Sequence, residues 1–513
     1  SSTLDMSVAS ELTRLSAAKA DLKRAINAKG GMLVNERLSE YASAVDALLP
    51  EDFGNRIRFI DYDGTVLKTM FIAEGESAEP PIPPEHPGMV FQGWNCEYNN
   101  ISGHRDIGAI YTTESGASEF DVRMEIPTGL TVTFYPYIES GTLHIDWGNG
   151  SSDEITGTGK QTVSFTYADY GTYTIRMKIS DGGSWYIPDY FCQGSNGNYY
   201  LIAARIAGIR QMSNYAFQYK YGLRTITMDR TLQSMGEQIF YECRSLVAIV
   251  FPDSLTSIGR YSMQYCYGLS RIVFPDSITV IPESVCNYCY VLDGVTVPDG
   301  VERIDYGAFQ YCHSLSYVHF PDTLTNIREY AFRYCYPLHD LRLPDNLTNL
   351  GEYAFNECFG IEEVRLPGSI TSCGGYVFHT CRNLRKITIP ENWTSIPNGL
   401  CYRCYALESI EIPERITHIG DEAFYECYRL TEVRFHADIA TIRSGSFRYC
   451  RAMRDYYCYR TTPPNLTSSN VFNDIPGSCV IWVPKSTDRT VLTAYKTASN
   501  WSNYANYMKE MEV

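Results

Sequence analysis

Residues 354–367 read AFNECFGIEEVRLP, and a stretch with the same spacing of apolar residues returns every 23 residues. Its cysteine marks the register: Cys243, Cys266, Cys289, Cys312, Cys335, Cys358, Cys381, Cys404, Cys427 and Cys450 are each one period apart, with Lys220 in the same slot one period earlier. Three positions before each cysteine stands Phe217, Phe240, Met263, Phe309, Phe332, Phe355, Phe378, Phe424 or Phe447, with Cys286 and Cys401 as substitutes. Three positions after it, an apolar series runs from Leu223 to Met453. Eight positions before it, another runs through Ile258, Ile281, Ile304, Ile327, Leu350, Ile396, Ile419 and Ile442. Self-similarity at such a period means stacked units, none of which can bury its apolar side alone.

Six and eight positions after the cysteine come two more apolar residues, such as Val364 and Leu366, closed by Pro367. Alternation followed by a stop is the mark of a short strand. Strands about 4.8 Å apart stack into a parallel sheet, so about eleven coils extend over roughly 50 Å. The pattern A-F-x-x-C-x-x-L-x-x-[IV]-x-[IL]-P resembles the BspA-like leucine-rich repeats of bacterial surface proteins over about residues 210–456. That resemblance implies a leucine-rich repeat solenoid over 201–456 and a role in binding. Lys220, Cys286, Cys401 and His436 depart from the pattern, the last in place of the proline, and are expected to mark ends or looser coils.

Ten cysteines in register invite a metal array or a disulfide ladder. Zinc needs four ligands converging at about 2.3 Å, which a ladder with ~4.8 Å steps does not offer. Bridging neighbours would twist side chains out of the packed interior. The expected state is a column of small buried free thiols.

The chain has 513 residues, enough for several domains, with 44% hydrophobic and 20% charged residues. A net charge of −16 argues against nucleic acid and anionic membranes as partners. No run of eighteen apolar residues exists, so no membrane insertion is expected. Residue 1 is serine, not methionine, and a leader removed before it would leave the same start, so export stays open. Tyrosine, at 41 residues, is the compositional outlier and a residue type that binding surfaces favour.

Upstream of the repeat, residues 1–49 carry two apolar stripes. One runs through Val8, Leu12, Leu15, Leu22 and Ile26 to Gly30-Gly31, the other through Leu38, Tyr41, Val45 and Leu48. Their heptad-like spacing suits a coiled coil, and hence a homo-oligomer or a second chain; a packed helical hairpin is the alternative. AAKADLKRAINAKG followed by LSEYASAVDAL resembles an N-terminal segment of phage and prophage tail and baseplate-associated proteins, which implies an attachment role. Residues 50–114, with IRFIDYDGTVLKT and EGESAEPPIPPEHPGMVFQGW, resemble the internalin-type B repeat. Asp61-Tyr62-Asp63-Gly64 there is read as a hairpin turn and not a calcium loop, because Ile72 stands where that loop needs glutamate. Residues 115–200, with TLHIDWGNGSSDE and VSFTYADYGTYTIRMKIS, resemble a polycystic-kidney-disease-type β-sandwich, a module that usually acts as a spacer. Asn149 replaces the family's usual aspartate. Residues 457–513 resemble the capping end of BspA-like proteins. The fold expected is a multidomain chain in which a helical segment and two small β domains precede the solenoid.

Nine histidines are the first place to look for acid–base or metal chemistry. Those within the repeats fall at different repeat positions and do not stack. No G-x-S-x-G, H-E-x-x-H or phosphate-binding loop occurs, and Cys286/Cys289 and Cys401/Cys404 each pair a phenylalanine slot with a ladder slot. The expectation is a binding protein with no catalytic residue, metal or cofactor.

Positions five and seven after each cysteine point outward from the sheet, because strand side chains alternate. They read Ala248/Val250, Arg271/Val273, Gly294/Thr296, Tyr317/His319, Asp340/Arg342, Glu363/Arg365, Lys386/Thr388, Ser409/Glu411 and Glu432/Arg434. A fixed core with a varied outer row suits recognition, and a solvated face would vary too. The position after the cysteine forms an aromatic row of Tyr267, Tyr290, His313, Tyr336, Phe359, Tyr405 and Tyr428. Such rings either stack on a sugar or protein partner or pack on one another.

The module order points to a phage or prophage tail-associated receptor-binding protein that meets a bacterial cell-surface protein or glycan. The alternatives are a BspA-like cell-surface adhesin and a glycan-processing enzyme, for which no carboxylate pair stands out. The expected location is the virion tail or the cell surface.

Overall fold

The structure, a computed structural model, describes residues 55–125, 130–192 and 200–512. The apolar stripes of 1–49, and the coiled coil or attachment role read from them, lie outside the described residues. The chain divides into two compact units. The smaller includes Met70–Ala78 and Asn99–His104. In it, Gly75 N–H donates to Ile101 O at 2.8 Å and Ile101 N–H donates to Glu76 O at 2.9 Å. The larger holds Arg58–Thr69, Glu79–Tyr98 and all residues from Arg105 onward.

Strands β1 (Asn55–Ile60), β2 (Val66–Ile72), β3 (Met89–Trp94) and β4 (Arg105–Thr113) form one sheet in the order β2-β1-β4-β3. The turn between β1 and β2 is the hairpin read from Asp63-Gly64. Asp61 N–H donates to Thr65 O at 2.8 Å, and Gly64 sits at φ +90°, where a side chain would be strained. The Asp61 carboxylate is taken by His86 Nε2 at 2.8 Å.

Strand Ser118–Met124 pairs antiparallel with Gly171–Ile179 on one side and with Tyr200–Ile206 on the other. Tyr200–Ile206 then pairs in parallel with Thr225–Met228, which is in phase with the repeats. One six-stranded sheet therefore runs from the antiparallel region into the solenoid. The rings of Phe120, Phe134 and Phe191 pack with Phe217 of the first cysteine-register coil in a common core. The described residues of 115–200 share sheet and core with the first coils. The physical reason is that an open solenoid end exposes both sheet edge and apolar interior, and this region covers them. Within it Trp147 stacks on Phe165 at 5.2 Å and donates from Nε1 to Asp153 at 2.8 Å. Gly148, at φ +75°, lies so close to Thr174 O that a Cβ would meet it at 2.5 Å.

The repeat region is a parallel β-solenoid of about 13 turns, more than the eleven that the cysteine register implies. The flanking turns lack the cysteine and have longer spacings. Asp455 pairs with Val480, and Ile481 with Met508. Most coils supply two strand positions, and two coils lack one of them, at residues 340–342 and at 372–373. The longer row includes Ala248–Val250, Arg271–Val273, Gly294–Thr296, Tyr317–His319, Glu363–Arg365 and Lys386–Thr388, all in parallel one-coil register where paired. The shorter row has two-residue strands such as Asn326–Ile327 and Asn349–Leu350. Between the rows, residues such as Tyr261 and Tyr265 take positive φ of 59° and 63°. This conformation costs a non-glycine residue roughly 1 kcal/mol. Their N–H groups, with that of Met263 between them, donate to Glu283, Asn287 and Val285 of the next coil at 2.9–3.0 Å, which offsets the strain.

At the C-terminal end, helix Thr490–Thr497 and the 3-10 turn Trp501–Tyr507 lie against the last coils. Trp501 is buried and donates to Pro464 O at 2.7 Å, and Tyr495 donates to Arg460 O at 2.8 Å.

Candidate binding surface

The cysteine column is a structural feature of the interior. All 17 cysteines are free thiols, and the ten in register are fully buried. Each ladder thiol donates to the carbonyl oxygen of the residue in the phenylalanine slot of the preceding coil. Examples are Cys266 to Phe240 at 3.1 Å, Cys312 to Cys286 at 3.2 Å and Cys450 to Phe424 at 3.4 Å. A small side chain that packs like a hydrophobe yet carries a donor fits this slot. Burial pushes the Cys243 thiol up to about 12, so the column is chemically quiet. Lys220, in the first slot, is lowered by burial.

Outward positions of the longer strand row divide into two halves. In the N-terminal half, residues of β1, β3 and β4 that belong to the same compact unit cover them. Ile60 and Ile110 pack with Val250 and Val273 in a separate small core. Gly108 of β4 leaves space for Val250, whose Cγ1 would stand 2.1 Å from an added Cβ. Asn95 Nδ2 donates to the backbone oxygens of Phe251 and Phe274 at 3.1 and 3.3 Å. Arg230 donates to Gln92 O at 2.6 Å and Trp94 O at 2.8 Å. Arg105 bridges to Asp276 and Asp299. Ala248, Val250, Val273 and Gly294 are accordingly buried.

Tyr317, expected to face a ligand, is only 8% exposed. Its ring lies across the bare Gly294 on one side, and the Arg58 guanidinium stands 5.2 Å from its centroid. Arg58 is itself held by Asp106 through paired bonds of 2.7 and 2.6 Å. Burial opposes its charge, but the Asp106 carboxylate outweighs it and the pKa is raised. His319 is half-buried beside Tyr317.

From Asp340 onward the face is open. Asp340, Arg342, Glu363, Arg365, Lys386, Thr388, Ser409, Glu411 and Arg434 are exposed, each flanking a buried core residue of the same coil, such as Val364 between Glu363 and Arg365. Local pairs hold several of the charges: Arg342 with Asp340 at 3.3 Å, Arg365 with Asp345 at 3.6 Å and Arg434 with Glu432 at 2.6 Å. A cover on the first half was legible as the change from Ala, Val and Gly to charged residues along one row.

The aromatic row is brought together, and its rings are used on one another. Tyr267, Tyr290, His313, Tyr336 and Phe359 stack in sequence with centroids 5.1, 4.7, 4.8 and 5.0 Å apart. Tyr405 stacks on Tyr428 at 4.9 Å. Arginines cap the runs, Arg382 over Phe359 at 4.6 Å, Arg451 over Tyr428 at 5.2 Å and Arg244 over Tyr267 at 5.5 Å. All seven ring residues are half-buried. A second column that sequence reading did not single out, Tyr265, Tyr288, Tyr311 and Tyr334, stacks beside it at 4.7, 4.3 and 4.6 Å. Occupied faces leave mainly ring edges and hydroxyls to a partner.

Among the described residues no group of three or more His, Cys, Asp or Glu side chains could hold a metal ion. None of the described helices is long and apolar enough to cross a membrane.

Residues 210–339 and 326–454 match the BspA type leucine rich repeat region. Over residues 210–454 the chain is similar to BspA-type leucine-rich repeats. Solved structures similar to the chain include a leucine-rich repeat protein from Bacteroides ovatus, 19% identical, covering 62% of this chain and 97% of that one with a TM-score of 0.34. A leucine rich cell surface protein from Faecalibacterium prausnitzii is 24% identical, covering 55% and 94% with a TM-score of 0.32. The pneumococcal vaccine antigen PcpA is 15% identical, covering 66% and 85% with a TM-score of 0.41. No curated protein matches the chain.

Proposed function

We propose that this chain is a non-enzymatic cell-surface adhesin that engages a protein on another cell through the open half of its BspA-type solenoid. The observation that carries the reading is the exposed charged row from Asp340 to Arg434 along the parallel-stranded side of the solenoid, beside a half already covered by the chain's own strands. Charged side chains held in fixed register give specificity and orientation more than raw affinity. The stacked aromatic faces point away from sugar stacking and toward a protein partner on this side. A tail-associated role rests on the segment 1–49, outside the described residues, so the adhesin reading is preferred.

The test is binding of labelled full-length protein to intact bacterial and epithelial cells, with and without protease treatment of the cells. Binding that is protease-sensitive and reduced at least about tenfold by Arg342→Glu with Arg365→Glu supports the proposal. Binding unchanged by both overturns it.

A further inference from the structure

The repeat is broken at one place in a way that leaves a notch. Six positions before the ladder cysteine, successive coils carry Arg260, Glu283, Tyr306, Glu329 and Glu352, then Gly375, then Asn398 and Asp421. At Gly375 the side chain is missing. A Cβ added there would stand 3.3 Å from Asn398 O, a tight contact, and 4.0 Å from Glu352 Oε1, so a side chain in this slot would crowd the ground between these two neighbours. The same coil interrupts the shorter strand row. One four-stranded ladder ends at Asn349–Leu350 and the next begins at Ser395–Ile396, with Cys373 in the intervening aliphatic slot.

The resulting cavity has a volume of about 510 Å³ and is lined by Glu352, Ser395, Asn398, His418 and Arg443 around Gly375. That volume lies within the ~300–1,000 Å³ of small-molecule sites. Its floor is fixed, since Tyr353 N–H donates to Gly375 O at 3.1 Å. Asn398 spends its Oδ1 on Asp421 N–H at 2.9 Å, which leaves its amide nitrogen as a donor. Arg443 is paired with Asp421 at 3.3 Å and remains half exposed. The Glu352 carboxylate, whose backbone oxygen accepts from Tyr330 N–H at 3.0 Å, has no side-chain hydrogen bond or ion pair among the described residues and supplies the acceptor. The His418 ring, part of the lining, takes the Thr417 hydroxyl through Nδ1 at 2.6 Å.

The lining therefore offers several planar or hydroxyl donors opposite one carboxylate, with acidic and basic charges nearly balanced. An anion would meet the Glu352 carboxylate, and an apolar ligand would strand the donors. A polyhydroxylated uncharged ligand, whose vicinal hydroxyls donate and accept together, satisfies both sides. We propose that this notch is a binding site for the end of a neutral glycan. It lies outside the longer strand row, and its existence does not depend on the protein partner proposed above.

The experiment is saturation-transfer NMR and calorimetry on the full chain with lactose, chitobiose and mannobiose, and with 3′-sialyllactose as the charged comparison. The proposal expects at least one neutral disaccharide to bind and Gly375→Arg to weaken it about tenfold or more. The slot already tolerates Arg260 in another coil, so the variant should fold. Thiol protection of the ladder reports whether it has. If it has not, Glu352→Ala and Arg443→Ala take its place, each expected to weaken binding. No neutral disaccharide binding, undiminished binding by the substituted proteins, or preference for sialyllactose over lactose overturns the assignment.

Discussion

Cys358 Sγ donates to the backbone oxygen of Phe332, one coil earlier, at 3.2 Å. This bond, repeated down the solenoid, ties the core slot of one coil to the backbone of another. Cys358→Ala removes the donor and opens a small void in a packed interior. It should destabilise the protein by about 1–2 kcal/mol. Urea unfolding measures this, and a loss near zero would show that the thiol only fills space.

Thiol chemistry separates a packed column from an exposed one. Cys96 and Cys373 are partly exposed, so, although burial of their thiols raises both, they should react ahead of the ladder cysteines with a thiol reagent at pH 8. The ten ladder thiols, fully buried, should label only on unfolding, and all 17 should then react without reductant. Missing thiols in denaturant would reveal disulfides.

Docking of β1–β4 on the sheet depends on the close approach of Gly108 to Val250. Gly108→Leu puts a branched side chain where Val250 already stands. The expected cost is about 1–3 kcal/mol, with faster proteolysis within residues 58–113. Proteolysis at the unaltered rate would mean that the contact is not held in solution.

His379 lies flat on Tyr402, with centroids 4.7 Å apart, and its Nδ1 is 2.7 Å from Asn356 Nδ2. Burial, aided by the charges of Arg403 and Arg333, lowers its pKa to about 4 from the ordinary 6.5. The folded pKa is depressed, so the contribution of the neutral ring to stability is present above pH 6.5 and lost as the pH falls toward 4. Between pH 7 and pH 4 the urea midpoint of the native protein should fall further than that of His379→Gln. Equal falls would remove His379 from the pH dependence.

The solenoid was legible because its core slots repeat: Phe355, Cys358, Ile361 and Val364 face the same interior in every coil, and local sequence alone determines that. The flanking turns escaped because Ile187, paired with Met212, and Leu466, paired with Ile442, carry the apolar ladder at spacings of 25 and 24 residues and without the cysteine. The outer row was harder. Val250 and Glu363 occupy the same kind of outward strand position, yet one is buried under β4 and the other is open. What covers Val250 lies far away in the chain, at Ile60 and Ile110, and no local pattern encodes that pairing. Ring orientation was equally hidden. Coils about 4.8 Å apart place successive rings at stacking distance, so Tyr267 and Tyr290 satisfy each other's faces before any ligand arrives.

The most direct test of the central claim is hydroxyl-radical footprinting of the full chain free and bound to cells. The account predicts protection concentrated on outward residues from Asp340 to Arg434, with little change at Ala248, Val250 and Tyr317, which are already covered. Protection confined to residues 115–192 or to the C-terminal turns, with the open row unchanged, would contradict it.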